Sequence, residues 1–168
     1  MDCNRRSPHG PGQQYDPVYA QNIEKLQANN VIVLGYVSTY WSQKDSELVK
    51  QDIGKYKEWY KVDGIMLDEM VSFAGAEGLY SGYSGYAKSL GMSLVVGNVG
   101  TNTLPSYVGT VDSIGTIEGD RTPPLSWLKG WQMDYDKSNF FYITYAELDR
   151  QKLCCRIRQV RRGPLHYR

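Results

Sequence analysis

Five short runs of apolar, largely β-branched or aromatic residues recur along this chain at intervals of roughly 20–35 residues. Between them lie segments of helical periodicity, or turns where the spacing is short. The runs are 31–37, 64–68, 93–97, 113–118 and 139–145. Tyr19, Ile23 and Leu26 stand four and three apart behind Asp16-Pro17, a pairing that fits a helix N-cap with Pro at the first helical position. Leu48, Val49, Ile53, Tyr56 and Tyr60 repeat the helical spacing over 45–60, with Asp45 as cap. Further helices are expected over 77–90 and 123–130 and from Leu148 onward, and a helical turn over 104–109. Such alternation predicts βα units and a parallel sheet. The run Val31–Val37 reads as a strand buried on both faces.

Two parallel architectures satisfy this order, the doubly wound open sheet and the (β/α)8 barrel. Glycines 78, 82 and 85 do not follow a strand, and neither a dinucleotide fingerprint nor a P-loop is present. Polar residues instead close the strands: Tyr36, Asp68, Glu69, Asn98 and Glu118. Barrels place their chemistry at those C-terminal ends. Five strands are too few to close a barrel, so the expected fold is α/β, an incomplete TIM-barrel-like arc of about five parallel strands. Open edges of such an arc favour self-association.

The chemistry available is narrow. Cys3, Cys154 and Cys155 are the only cysteines, and His9 and His166 the only histidines, all near the ends. No metal-ligand spacing occurs, so neither a metal nor a cofactor is expected. Carboxylates must carry any reaction. Asp68 and Glu69 are neighbours, which on an ideal strand point to opposite faces. A bend is needed to bring both to one pocket. Fourteen tyrosines and four tryptophans supply ring faces and hydroxyls. Tyr36, Tyr40 and Trp41 follow a strand end. Tyr56, Trp59 and Tyr60 read as core. Tyr80, Tyr83 and Tyr86 fit either a lid or a partly buried helix face, and Asn98 either a ligand contact or a turn cap.

Charge divides the chain. Residues 1–149 hold all 18 acids and 12 of the 19 Lys and Arg, a net charge of −6. Residues 150–168 hold the other seven, a net charge of +7. The division predicts a domain over 8–149 and an atypical basic tail over 150–168 that packs poorly. The tail reads as a solvated terminus, a polyanion-binding segment, or a segment foreign to the domain's design, such as a shifted reading frame. The overall charge of +1 gives no support to nucleic acid as partner. No apolar run reaches the ~18 residues of a membrane helix. The N-terminal residues lack the apolar stretch of an export signal.

Several strings in this order resemble spherulation-specific family 4, the spherulin-4 glycoside hydrolases on a (β/α)8 barrel. They are Gly10-Pro11-Gly12, Gly35-Tyr36-Val37 with Thr39-Tyr40, Trp59-Tyr60, Val62-Asp63-Gly64-Ile65, Leu67-Asp68-Glu69, Asn98 with Gly100-Thr101, and Glu118. The resemblance spans about residues 8–147. It implies an acidic catalytic cluster of Asp68, Glu69 and Glu118; Tyr36, Thr39, Tyr40 and Asn98, at or just after strand ends, are the candidate substrate contacts. It implies an α-linked polysaccharide of galactose and N-acetylgalactosamine as partner, and a secreted or cell-surface location. Val99 stands where the family usually has Pro. The opening strand has no counterpart in Asp2–Ser7, and aliphatic strands after Tyr145 are missing. The alternative function is a catalytically inactive carbohydrate-binding or structural remnant.

Overall fold

The structure, a computed structural model, describes residues 10–121, 123–124, 127 and 130–145. The helix from Leu148, most of that over 123–130, and the basic tail lie outside the described residues. Five strands appear: β1 (Leu34–Ser38), β2 (Gly64–Asp68), β3 (Leu94–Asn98), β4 (Ser113–Gly119) and β5 (Phe140–Thr144). Helices α1 (Pro17–Ala28), α2 (Ser46–Tyr60) and α3 (Glu77–Ser89) lie before β1, β2 and β3. The stretch between β3 and β4 holds only a 3-10 turn, Pro105–Tyr107. All strands pair in parallel, in the order β1-β2-β3-β4-β5. A doubly wound sheet reverses its strand order at a switch point. This sheet does not, so it is an open arc of barrel type.

Asp16 caps α1 by accepting the N–H groups of Val18 (2.9 Å) and Tyr19 (3.1 Å), and Asp45 caps α2 through Glu47 (2.8 Å). The helical faces differ from expectation at single positions. Ile23, Val49, Ile53, Tyr56 and Tyr60 are buried, whereas Leu26 and Leu48 are about half exposed. Tyr80 and Tyr83 are buried on α3 and Tyr86 packs beside them, which settles that segment as a helix face.

The first strand is shorter than its apolar run and is not buried on both faces. Val31 and Ile32 are exposed, and pairing starts at Leu34. Burial alternates along β1: Gly35 and Val37 are buried, while Leu34 and Tyr36 are only half-buried. Helices cover one face of the sheet, so the described residues leave the concave face partly open. Close packing is strict on both faces of the sheet. A Cβ on Gly35 would lie 2.5 Å from the Tyr56 ring, and one on Gly64 2.0 Å from the Leu94 carbonyl oxygen.

Two aspartates set the strand starts by the same device. Asp63, just before β2, accepts the Val33 N–H at 2.8 Å and the Gln27 amide at 3.1 Å. Asp112, just before β4, accepts the Val95 N–H at 2.7 Å and the Lys88 ammonium at 2.5 Å. Each carboxylate supplies an acceptor to the neighbouring chain where the ladder has not begun. The Val33 N–H, more than the Gln27 amide, holds the Asp63 carboxyl below its ordinary range against opposing desolvation. A group lowered in the fold stabilises above its unfolded pKa and loses that contribution as pH falls through its folded one. Asp63→Ala should therefore lower stability at pH 7 by about 1 kcal/mol, a figure reduced by the carboxylate's access to water. Urea titrations at pH 7 and pH 3 should show the difference from the unmutated chain shrinking at the lower pH.

Candidate functional site

Parallel strands in consecutive order bring their C-terminal ends to one side of the sheet. Tyr36 and Ser38 on β1, Asp68 on β2, Asn98 on β3 and Glu118 on β4 meet there. Register places Ser38 opposite Asp68 and Asn98 opposite Gly115. Side chains two residues apart share a face, so Tyr36 and Ser38 project together.

Two carboxylates violate that parity, and the backbone changes where it must. Glu69 follows Asp68 and would face away on a continued strand. It instead has φ 56°, in the left-handed region, and its carboxylate accepts the Ser38 hydroxyl. Glu118 lies three residues from the inward Gly115. The pairing of β4 with β5 shifts register between Gly115 and Ile117, where β4 carries one extra residue. Such a bulge re-aims the side chains beyond it. Both breaks return a carboxylate to the concave side.

Asn98 joins the acids. Its Nδ2 donates to Asp68 Oδ1 at 2.8 Å and to Glu118 Oε2 at 2.7 Å, while its Oδ1 accepts the Gly100 N–H at 3.0 Å. Asn98 is 4% exposed. It therefore bridges two acids and caps the following turn at once. Gly115 makes room: a Cβ there would lie 2.7 Å from Asn98 Oδ1. The Tyr36 hydroxyl donates to Asp68 Oδ2 at 2.7 Å. Burial, then this hydrogen bond and the charges of Asp68, Glu69 and Glu118, push the Tyr36 phenol well above its ordinary pKa. It stays a donor throughout the physiological range.

Thr39 and Tyr40 occupy different surroundings. Thr39 is buried, and its Oγ1 lies 3.0 and 2.8 Å from the carbonyl oxygens of Asp68 and Glu69. It braces the backbone that carries both acids. Tyr40 is 44% exposed at the rim, its ring 6.4 Å from that of Trp41. Tyr40, Trp41 and Ser42 all have positive φ. This turn is pinned by the Trp41 N–H on the Glu69 carbonyl (2.8 Å) and by Ser42 Oγ on the Tyr80 hydroxyl (2.7 Å). Ser38 and Gly115 were not among the candidates from sequence. Ser38 carried a signal, since it stands two residues after Tyr36. Among the described residues, no three His, Cys, Asp or Glu side chains are grouped to hold a metal ion.

The fold and site define a barrel-type α/β protein with an acidic cluster at its strand C-termini. The chain belongs to spherulation-specific family 4 (Spherulin4), which residues 6–164 match. That stretch runs past Asp149 into the basic segment. A crystal structure of Aspergillus clavatus Sph3 in complex with GalNAc is similar, with a TM-score of 0.59 and 29% sequence identity, covering 66% of this chain. The chain spans about half of the Sph3 chain, 50% of its length. No curated protein matches the sequence.

The Asn98 bridge makes a distinct stability prediction. Asn98→Ala should cost about 2 kcal/mol by stripping donors from Asp68 and Glu118. Asn98→Asp should cost more than Asn98→Ala at pH 7, because it replaces the shared donor with a further carboxylate facing both acids. Thermal melts of both variants measure this.

Proposed function

We propose that this chain is a glycoside hydrolase acting on an α-linked polysaccharide of galactose and N-acetylgalactosamine. The observation that carries the reading is the Asn98 amide shared by Asp68 and Glu118. It keeps the nearest oxygens of the two acids within two hydrogen-bond lengths of each other. We take double displacement as the mechanism, in which one carboxyl group attacks and the other moves the proton. Asp68, with both oxygens engaged by donors, is the nucleophile. Glu118 protonates the leaving oxygen and then deprotonates the incoming water. Glu69, held by Ser38, orients the sugar. Tyr36 and Asn98 donate to the nucleophile, Thr39 braces the strand ends, and Tyr40 offers a ring to a sugar face. The similarity to a protein crystallised with GalNAc supports the choice of sugar.

A second reading is a carbohydrate-binding remnant without turnover. It is favoured by the concave face that the described residues leave partly open. In either reading we take 8–149 as the sugar-handling unit and 150–168 as a separate basic segment. Among the described residues β1 and β5 are the outer strands, and they are the edges through which copies would associate.

Reducing-end release from a galactosaminogalactan-type polymer separates the two readings. The unmutated chain should turn the polymer over. Glu118→Gln should lower the rate by about 100-fold or more while keeping fold and sugar affinity, because the amide keeps its shape but transfers no proton. Full activity in that variant would overturn the role of Glu118. Retained affinity with no turnover by the unmutated chain would select the remnant reading.

A further inference from the structure

A cavity of about 830 Å³ opens beside Glu118 on the β4–β5 side of the sheet. Its size falls within the few hundred to about 1,000 Å³ of small-molecule sites. Glu118 lines it together with Asn102, Trp131, Gln132, Tyr135 and Tyr142. The Asp68–Asn98–Glu118 cluster does not use these other groups.

The cavity continues from the acidic cluster through one loop. Asn98 Oδ1 holds the Gly100 N–H, the Glu118 N–H donates to the Gly100 carbonyl at 3.0 Å, and Asn102 follows two residues later. Asn102 Oδ1 accepts the Gln132 Nε2 at 2.8 Å, which ties this loop to the 3-10 turn Trp131–Asp134. Trp131 is set by two ring contacts, 5.8 Å to Tyr135 and 5.6 Å to Phe140, both edge to face. Rings braced in this way present a fixed apolar surface. Side-chain amides beside them match the hydroxyl and acetamide groups of a sugar. Among the described lining residues, Glu118 is the only acid and Lys137 the only cation, so the walls suit a largely neutral ligand.

We propose that this cavity is a second sugar-binding subsite, which receives the unit next to the one held at Asp68 and Asn98, with Trp131 as stacking surface and Gln132 and Asn102 as polar contacts. The proposal rests on the reading of the acidic cluster as a glycan site and adds the direction in which the polymer leaves it.

The test is calorimetric titration of the full chain with α-linked N-acetylgalactosamine oligosaccharides of one to six units. Affinity should rise with length. Trp131→Ala and Gln132→Ala should each weaken binding of the longer oligosaccharides by about tenfold, the range of one aromatic or hydrogen-bonded contact, and leave the monosaccharide unchanged. Gln132 is a half-buried surface residue, so its variant keeps the test valid if Trp131→Ala fails to fold. Affinity independent of length would overturn the subsite, as would equal losses for monosaccharide and oligosaccharide. Asn98→Ala reports separately on the acidic cluster and should weaken every length alike. An unmutated chain that binds no oligosaccharide of any length would overturn both readings.

Discussion

One amide holds the site together. Asp68 and Glu118 sit on strands that are not adjacent, separated by β3, and both present negative charge to the same space. Asn98, on the strand between them, gives one Nδ2 proton to each and uses its Oδ1 on the backbone of the next turn. Without this donor, two acids would be set close together with nothing between them. The rest of the local architecture serves that placement. Gly115 lacks the side chain that would strike Asn98, Gly100 supplies the N–H that orients it, and Tyr36 balances Asp68 from the other side.

Bringing a third carboxylate into this space required the backbone to leave ideal strand geometry. Glu69 does so by a left-handed residue, and Glu118 follows an extra residue in β4. A non-glycine residue in the left-handed region costs roughly 1–2 kcal/mol. At Glu69 the surroundings hold it there: its carbonyl accepts the Trp41 N–H, its carboxylate accepts the Ser38 hydroxyl, and Thr39 reaches its carbonyl. Strain concentrated beside a reactive cluster is common where a scaffold fixes side chains for use.

Away from the mouth, the scaffold is kept in register by acids of a different kind. Asp63 and Asp112 act at the opposite ends of the strands, each clamping a neighbouring backbone N–H before pairing starts. The string Val62-Asp63-Gly64-Ile65 that carries much of the family resemblance is thus structural. Its Asp sets the register of β1 against β2, and its Gly fits under the Leu94 carbonyl. The aromatic excess divides in the same way. Tyr56, Tyr60, Tyr80 and Tyr83 fill the helix–sheet layer, whereas Tyr40, Trp41 and Trp131 stay partly exposed near the acids.

The alternation of periodicities by itself determined that the chain forms parallel βα units, because a period of about 3.6 and an apolar run of five to seven residues each bury a face only in its own backbone geometry. It also determined that Asp68, Asn98 and Glu118 close their strands, since a polar residue ending an apolar run marks the boundary of the buried layer. Tertiary structure decided the remainder. Val31 and Ile32 look like strand in isolation, yet no strand among the described residues reaches them, and pairing needs a partner. Leu26 and Leu48 fit helical faces by spacing, yet each is about half exposed in the fold. Sequence parity set Asp68 and Glu69 on opposite faces and asked for a bend, which the left-handed residue after β2 supplies; the extra residue in β4 that turns Glu118 inward had no counterpart in the sequence pattern. The bridging role of Asn98 was invisible for the same reason: a hydrogen bond between residues 20 and 30 positions apart exists only once three strands lie side by side.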